Sequence, residues 1–196
     1  MRLVAFDLDD TLAPSKSALP AAMAEQLRAL LDVVPVCVIS GGEFGQFRAQ
    51  LLENLDATSE QLSKLHLMPT CGTRYYRWNA DHSNWDQVYA NDLSQDERER
   101  AIKSLRQRAH EQGVWEAQPW GEIIEDRGSQ ITFSALGQQA PLEAKRAWDP
   151  SGDKKRKLRD AVALDVPDLE VRAGGSTSVD ITRRGIDKAY GMAKLV

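Results

Sequence analysis

The stretch Leu3-Val4-Ala5-Phe6-Asp7-Leu8-Asp9-Asp10-Thr11-Leu12 decides the fold. Its four leading apolar residues read as a short, buried strand of a parallel sheet, and the acids begin where that strand ends. Asp7 and Asp9 stand two residues apart, with Thr11 two further on. Phosphoryl transfer through an aspartyl-phosphate asks for such a set. One carboxylate attacks phosphorus, a second handles the proton, and a metal holds the charge together. Paired acids at a strand end can also form a turn with a helix cap. The apolar strand before them and the Thr after them favour catalysis.

Outward from this stretch, strands and helices alternate. Ala18 to Leu31 reads as a helix with Met23, Leu27, Leu30 and Leu31 on one face and Pro20 in its first turn. Val33 to Ile39 reads as a second buried strand despite Pro35, broken by Ser40-Gly41-Gly42. Phe44, Phe47, Leu51, Leu52 and Leu55 mark an amphipathic helix, and Leu65 to Met68 a third strand. The alternation predicts a parallel α/β sheet that binds ligands outside the carboxyl ends of its strands, where Asp7, Asp9 and Ser40 fall.

From about residue 74 the texture changes to α+β. Arg74 to Trp78 and Trp85 to Tyr89 read as a hairpin around Asn79-Ala80-Asp81. Ser94 with Glu97 forms a capping box for a helix that Gly113 stops. Glu122 to Glu125 pairs with Gln130 to Leu136, Asp153 to Leu164 is a basic helix, and Leu169 to Ala173 and Thr177 to Ile181 are further strands. Ser178 and Asp180 alternate along one strand and so share a face. The run Lys154-Lys155-Arg156-Lys157 with Arg159 is flanked by Asp153 and Asp160 and reads as a solvated helix face.

Composition narrows the function classes. The chain has 196 residues, 42% of them hydrophobic, enough for one or two small domains with a real core. A net charge of −4 offers no electrostatic reason for nucleic acid binding. No apolar window reaches the ~18 residues of a membrane span. The start carries no basic and apolar leader, so no secretion signal is expected. Cys37 and Cys71 lack metal-ligand spacing and read as reduced thiols of a cytoplasmic protein.

With these residues in view, the chain resembles the haloacid dehalogenase superfamily. Asp7-Leu8-Asp9-Asp10-Thr11 is similar to its first motif, Val38-Ile39-Ser40-Gly41-Gly42 to its second, and Lys188 in Gly185-Ile186-Asp187-Lys188 to its third-motif lysine. Within it, the chain resembles eukaryotic-type phosphomannomutases. That likeness rests on Ile124-Glu125-Asp126-Arg127, on Ile131 to Gly137, and on Gly174-Gly175-Ser176-Thr177-Ser178-Val179-Asp180. The resemblance implies a Rossmann-like core (residues 1–73 and 186–196) and an inserted type IIB cap (residues 74–185). It implies Asp7 as nucleophile, Asp9 as general acid/base, and Mg²⁺ held by Asp7 and by Asp9 through its backbone carbonyl. Thr11, Ser40, Gly41 and Lys188 would contact the transferring phosphoryl group. Arg127, Arg146, Ser178 and Asp180 would hold the sugar and its distal phosphate. The implied partners are a hexose phosphate and a sugar bisphosphate activator, with no nucleic acid or membrane, in a monomer or a homodimer through the cap.

Three departures from the family pattern bear on this. Asp10 stands where the family usually has Gly, and Gln138 where it places a phosphate-binding Arg. After Lys188 no further Asp follows to complete a Mg²⁺ site, which suggests residues beyond Val196. Three activities are therefore weighed: isomerisation of mannose 6-phosphate to mannose 1-phosphate, hydrolysis of a sugar phosphate on the same scaffold, and a catalytically impaired binding module.

Overall fold

The computed structural model describes residues 3–14 and 16–195. They form two units, residues 1–91 with 186–196 and residues 92–185.

The first unit is built on a mixed sheet in the order β1-β2-β3-β4-β5. Strands β1 (Val4–Phe6), β2 (Val36–Ile39) and β3 (Leu65–Met68) run parallel, with Val4 opposite Val36 and Val36 opposite Leu65. Pro35 sets the start of β2, because proline brings no N–H to a ladder and holds its predecessor out of one. Every residue of β2 and β3 is buried, as strands covered on both faces require. One face, Val36, Val38, Leu65 and Leu67, packs on α1 (Ala21–Val33) and on the helical run Phe44–Leu55 through Leu27, Leu31, Phe47, Leu51 and Leu55. The other face, Cys37, Ile39 and Met68, meets Met192 and Leu195 at the C-terminal end.

Two expectations change here. The run Leu3–Phe6 is not a fully buried strand: Val4 is 37% exposed, Ala5 is exposed, and β1 pairs only with β2 among the described residues. Its apolar residues occupy a sheet edge. The hairpin β4 (Arg74–Asn79) and β5 (Asn84–Ala90) does not belong to the insert but extends this same sheet, with β4 antiparallel to β3. The physical reason is that both faces of β4 find partners in this unit, on β3 and on the helical run after β2. Tyr76 joins the core and stacks on Phe44, and Arg77 and Tyr75 bond to the buried His66. The division between units therefore falls after Asn91 rather than at residue 73.

The second unit is a four-stranded antiparallel sheet in the order β6-β7-β9-β8. Its strands are β6 (Ile124–Asp126), β7 (Gln130–Ser134), β8 (Leu169–Gly174) and β9 (Ser178–Arg183). Two helices, α5 (Gln95–Glu111) and α7 (Asp153–Asp165), bury Ala101, Leu105, Ala109, Leu158 and Val162 against Ile131, Phe133, Val179 and Ile181. The Ser94–Glu97 capping box forms as the spacing implies, with Ser94 Oγ accepting from Glu97 N and Glu97 accepting from Ser94 N. Helix α6 (Leu142–Trp148) lies outside the elements that the sequence pattern predicts, because it buries none of its residues and so leaves no apolar periodicity.

Candidate active site

The first unit gathers the motif residues around the carboxyl ends of β1 and β2. After Phe6 the sequence keeps alternating, so Leu8 and Leu12 turn into the core, at 0% and 4% exposure. Asp7, Asp9 and Thr11 are left on the outer side. The loop closes tightly: Leu8 O accepts from Leu12 N (3.0 Å) and Ala13 N (3.1 Å), and Asp10 N donates to Ala13 O at 2.7 Å. Asp10 sits at φ +57°, the left-handed region that glycine enters freely and that Asp tolerates better than most residues. This explains how Asp can stand at a position where glycine is the usual choice.

Asp7 is held by two donors. Leu8 N donates to its Oδ1 at 2.8 Å, and the Lys188 ammonium forms an ion pair with its Oδ2. Lys188 is the first residue of α8 (Lys188–Ala193), whose N-cap Asp187 accepts from Tyr190 N at 2.8 Å. Helix α8 reaches this place because Gly191 packs on the turn Thr70–Gly72. A Cβ on Gly191 would lie 2.9 Å from both Cys71 O and Gly72 Cα, and 2.6 Å from Ile39 Cδ1. That turn is strained: Thr70, Cys71 and Gly72 all have positive φ, and for a β-branched Thr this is a costly conformation. It is pinned to the loop after β2, since Thr70 N donates to Gly42 O (2.8 Å) and Cys71 N to Ser40 O (2.9 Å). Ser40 is buried and its Oγ accepts from Gly42 N at 3.4 Å, while Gly41 follows it directly in this loop. Thr11 is exposed. Burial pushes the Cys37 thiol up to about 12, which leaves it inert as a nucleophile.

Asp9 shows what sequence reasoning missed. Its carboxylate is bonded to Gln46 Nε2 through Oδ2 (2.8 Å), and to Lys16 N (2.9 Å) and Gln50 Nε2 (3.2 Å) through Oδ1. The two glutamines lie on the helical run after the second motif, α2 (Phe44–Phe47), a π turn (Arg48–Leu52) and α3 (Glu53–Leu55). π turns inside helices mark functional places often enough to draw attention. The one available signal was Gln50 itself, a polar residue beside the apolar stripe Phe47, Leu51, Leu55.

Among the described residues no group of three or more His, Cys, Asp or Glu could hold a metal. The donors that would hold a metal here are the Asp7 carboxylate and the Asp9 backbone carbonyl, while the Asp9 carboxylate is turned to the glutamines, with Oδ2 bonded to Gln46. Such a sparse set of hard oxygens suits Mg²⁺, which takes one or two carboxylates and completes its shell with water and phosphate.

In the second unit, the sheet face away from α5 and α7 is polar. Asp180 Oδ1 accepts from Thr132 Oγ1 at 2.7 Å and from Gln130 Nε2 at 3.0 Å. Burial pushes the Asp180 carboxyl above its ordinary range, against these hydrogen bonds and the Arg127 charge, which pull it back. Arg127 is bound to Glu125 Oε2 through Nε (3.0 Å) and a terminal nitrogen (2.7 Å). Ser178 lies two residues before Asp180 on β9, half-buried. Arg146 stands apart on α6, exposed. Gln138 offers its backbone carbonyl to Lys145 Nζ at 2.9 Å.

No protein-family model matches the chain. In sequence it is 25% identical over 195 residues to the phosphomannomutase of Schizosaccharomyces pombe, covering 96% of this chain and 73% of that protein. It is 24% identical to the phosphomannomutase of Encephalitozoon cuniculi, covering 94% and 71%. In structure it is similar to the Plasmodium falciparum IMP-nucleotidase, with TM-score 0.68 and 13% identity over 98% of this chain, which spans only 55% of that one. It is similar to a haloacid dehalogenase-like hydrolase from Bacteroides thetaiotaomicron, with TM-score 0.67 and 14% identity over 99% of this chain and 75% of that one. It is also similar to the C-terminal domain of the C. albicans trehalose-6-phosphate phosphatase, with TM-score 0.63 and 17% identity over 99% and 61%. The chain therefore has the fold of the haloacid dehalogenase-like hydrolases, and its sequence likeness is to phosphomannomutases.

Proposed function

We propose that this chain carries out Mg²⁺-dependent phosphoryl transfer on hexose phosphates through an aspartyl-phosphate at Asp7, in the manner of a phosphomannomutase. The observation that supports it most is the ion pair between Asp7 and Lys188, residues 181 apart in sequence. A carboxylate meets a phosphate dianion poorly unless cations stand beside it, and most of the catalysis is positioning and charge stabilisation. Bound Mg²⁺ would supply the rest of that screening, held by the Asp7 carboxylate and the Asp9 backbone carbonyl.

An Asp7 carboxylate oxygen forms a bond to phosphorus, and the bond from phosphorus to the sugar oxygen breaks. Its electron pair stays on that oxygen, which takes a proton from Asp9. In the return step a sugar hydroxyl gives its proton to Asp9 and attacks the phosphoryl group on Asp7. Thr11, Ser40 and the backbone at Gly41 would hold the phosphoryl oxygens. Arg127, Arg146, Ser178 and Asp180 would recognise the sugar and its distal phosphate, Arg because its planar fork suits an oxyanion. The similarity in sequence to two phosphomannomutases favours mannose 1-phosphate and mannose 6-phosphate as the pair, with a sugar bisphosphate as activator.

A second reading is a sugar phosphatase, in which water replaces the sugar hydroxyl in the return step. Gln138 at a position of an expected phosphate-binding Arg favours it, because a mutase must hold its sugar in two orientations and a phosphatase in one. One assay separates them. With Mg²⁺ and a catalytic amount of a glucose bisphosphate, mannose 1-phosphate is expected to isomerise faster than it loses phosphate. Phosphate release outrunning isomerisation would establish the phosphatase instead.

A further inference from the structure

One polar network in the first unit is made by two residues that the roles given above do not include. Gln46 and Gln50 are four apart, across the junction of α2 with the π turn, and their amides face the same way. Gln46 Nε2 donates to Asp9 Oδ2 at 2.8 Å and to Gln50 Oε1 at 2.6 Å. Gln50 Nε2 donates to Asp9 Oδ1 at 3.2 Å and to Ser17 O at 2.9 Å. Each amide thus uses both of its N–H bonds, and each Asp9 oxygen receives at least one. The direction of both amides follows from chemistry, since an ionised carboxylate only accepts. Gln50 is buried, at 4% exposure. Gln46 has room to lie there because residue 42 is glycine: a Cβ on Gly42 would fall 2.4 Å from Gln46 Oε1.

We propose that Gln46 and Gln50 are positioning residues for Asp9, an amide clamp that fixes the orientation of the carboxyl group exchanging the proton. This rests on the reading of Asp9 as general acid/base given above. An amide has a donor and an acceptor end. With the Gln46 donor shared between Asp9 Oδ2 and Gln50 Oε1, the pair holds the carboxyl group from its donor ends, which an apolar side chain of the same size cannot do. The glycine of the second motif acquires a purpose as well, since it gives the clamp its space.

The substitution Gln46→Met keeps the bulk of the side chain and removes the hydrogen bonds. Proton donation matters for a poor leaving group, an alkoxide, and little for a good one, a phenolate. The test compares Mg²⁺-dependent turnover of mannose 6-phosphate and of p-nitrophenyl phosphate by the whole chain. Gln46→Met is expected to lose at least about tenfold more kcat on the sugar phosphate than on the aryl phosphate, within the ~100- to 10,000-fold that a general acid supplies. KM for both should move little. Asp9→Asn, run beside it, should show the same split more strongly. If Asp9→Asn shows no split, the acid/base reading of Asp9 fails. If Asp9→Asn shows it and Gln46→Met does not, the clamp alone is wrong. A crystal structure of Gln46→Met decides the matter independently of activity: an Asp9 carboxyl group in another orientation is expected, and one that keeps its place overturns the proposal.

Discussion

Strands β1 and β7 invert the usual relation between polarity and burial. Val4, Ala5 and Phe6 are apolar, yet β1 stands at a sheet edge with Val4 37% exposed. Gln130, Thr132 and Ser134 are polar, yet every residue of β7 is buried. Burying a polar group costs free energy unless it is hydrogen-bonded. In β7 the bonds are present: Thr132 and Gln130 bind Asp180, and Ser134 Oγ donates to Gly137 O at 3.1 Å. The two strands hold their places by different means, β1 through the residues that follow it and β7 through side chains on both faces. Leu8 and Leu12 anchor the chain that β1 delivers, so the strand itself contributes little buried area.

The comparison breaks most visibly in core truncations. Phe133→Ala in β7 is expected to cost about 3–5 kcal/mol in urea unfolding, because a fully buried ring leaves a cavity. Val4→Ala in β1 is expected to cost less than about 1 kcal/mol. Equal costs would mean that β1 is buried in solution.

Acid sharpens the contrast between the two sheets. In the first unit, burial first and Arg77 second pull His66 down to about 4 from an ordinary 6.5. Between those values the unfolded chain binds a proton that the folded one does not. His66 therefore adds nothing to the loss above about 6.5, and stability falls as pH drops from there toward 4, by roughly 3 kcal/mol in all. In the second unit, bonds from Arg183, Arg108 and Arg100 hold Glu97, Asp165 and Asp168 at about 2. These contributions persist down to the ordinary carboxylate range and fade only below it, as pH falls toward 2. Hydrogen exchange read segment by segment should show β3 and β4 loosening at pH 5 before α5 and α7. His66→Gln should abolish that early loosening. Simultaneous loss in both units would contradict the assignment.

A smaller effect is expected from Thr132→Val, which keeps the shape of β7 but removes one donor to Asp180. It should cost about 1–3 kcal/mol, the usual penalty of leaving a buried acceptor short of a partner. No measurable loss would mean that the β7 hydrogen bonds do little to keep its polar residues buried.

Much of this was legible in the sequence because it is local. Asp7 and Ser40 fall directly after apolar strands, and Ser94 with Glu97 announces α5 within four residues. The parts that escaped are set by distant partners. The hairpin β4–β5 shows its turn but not that β4 pairs with β3, a choice made by contacts such as Tyr76 on Phe44. The left-handed Thr70 contradicts its own preference and is held by Gly42 O, 28 positions away (70 − 42). Gln46 and Gln50 look like the polar side of an ordinary amphipathic helix until Asp9, far earlier in the chain, is seen to lie against them.

The central claim is that Asp7 carries the phosphoryl group. It is tested most directly by incubating the chain with Mg²⁺ and a glucose bisphosphate, quenching in acid, and mapping peptides by mass spectrometry. The account predicts one phosphoryl group on Asp7 in the wild type and none anywhere in Asp7→Asn, which should also be inactive. A phosphoryl group on another residue, or full activity in Asp7→Asn, would contradict it.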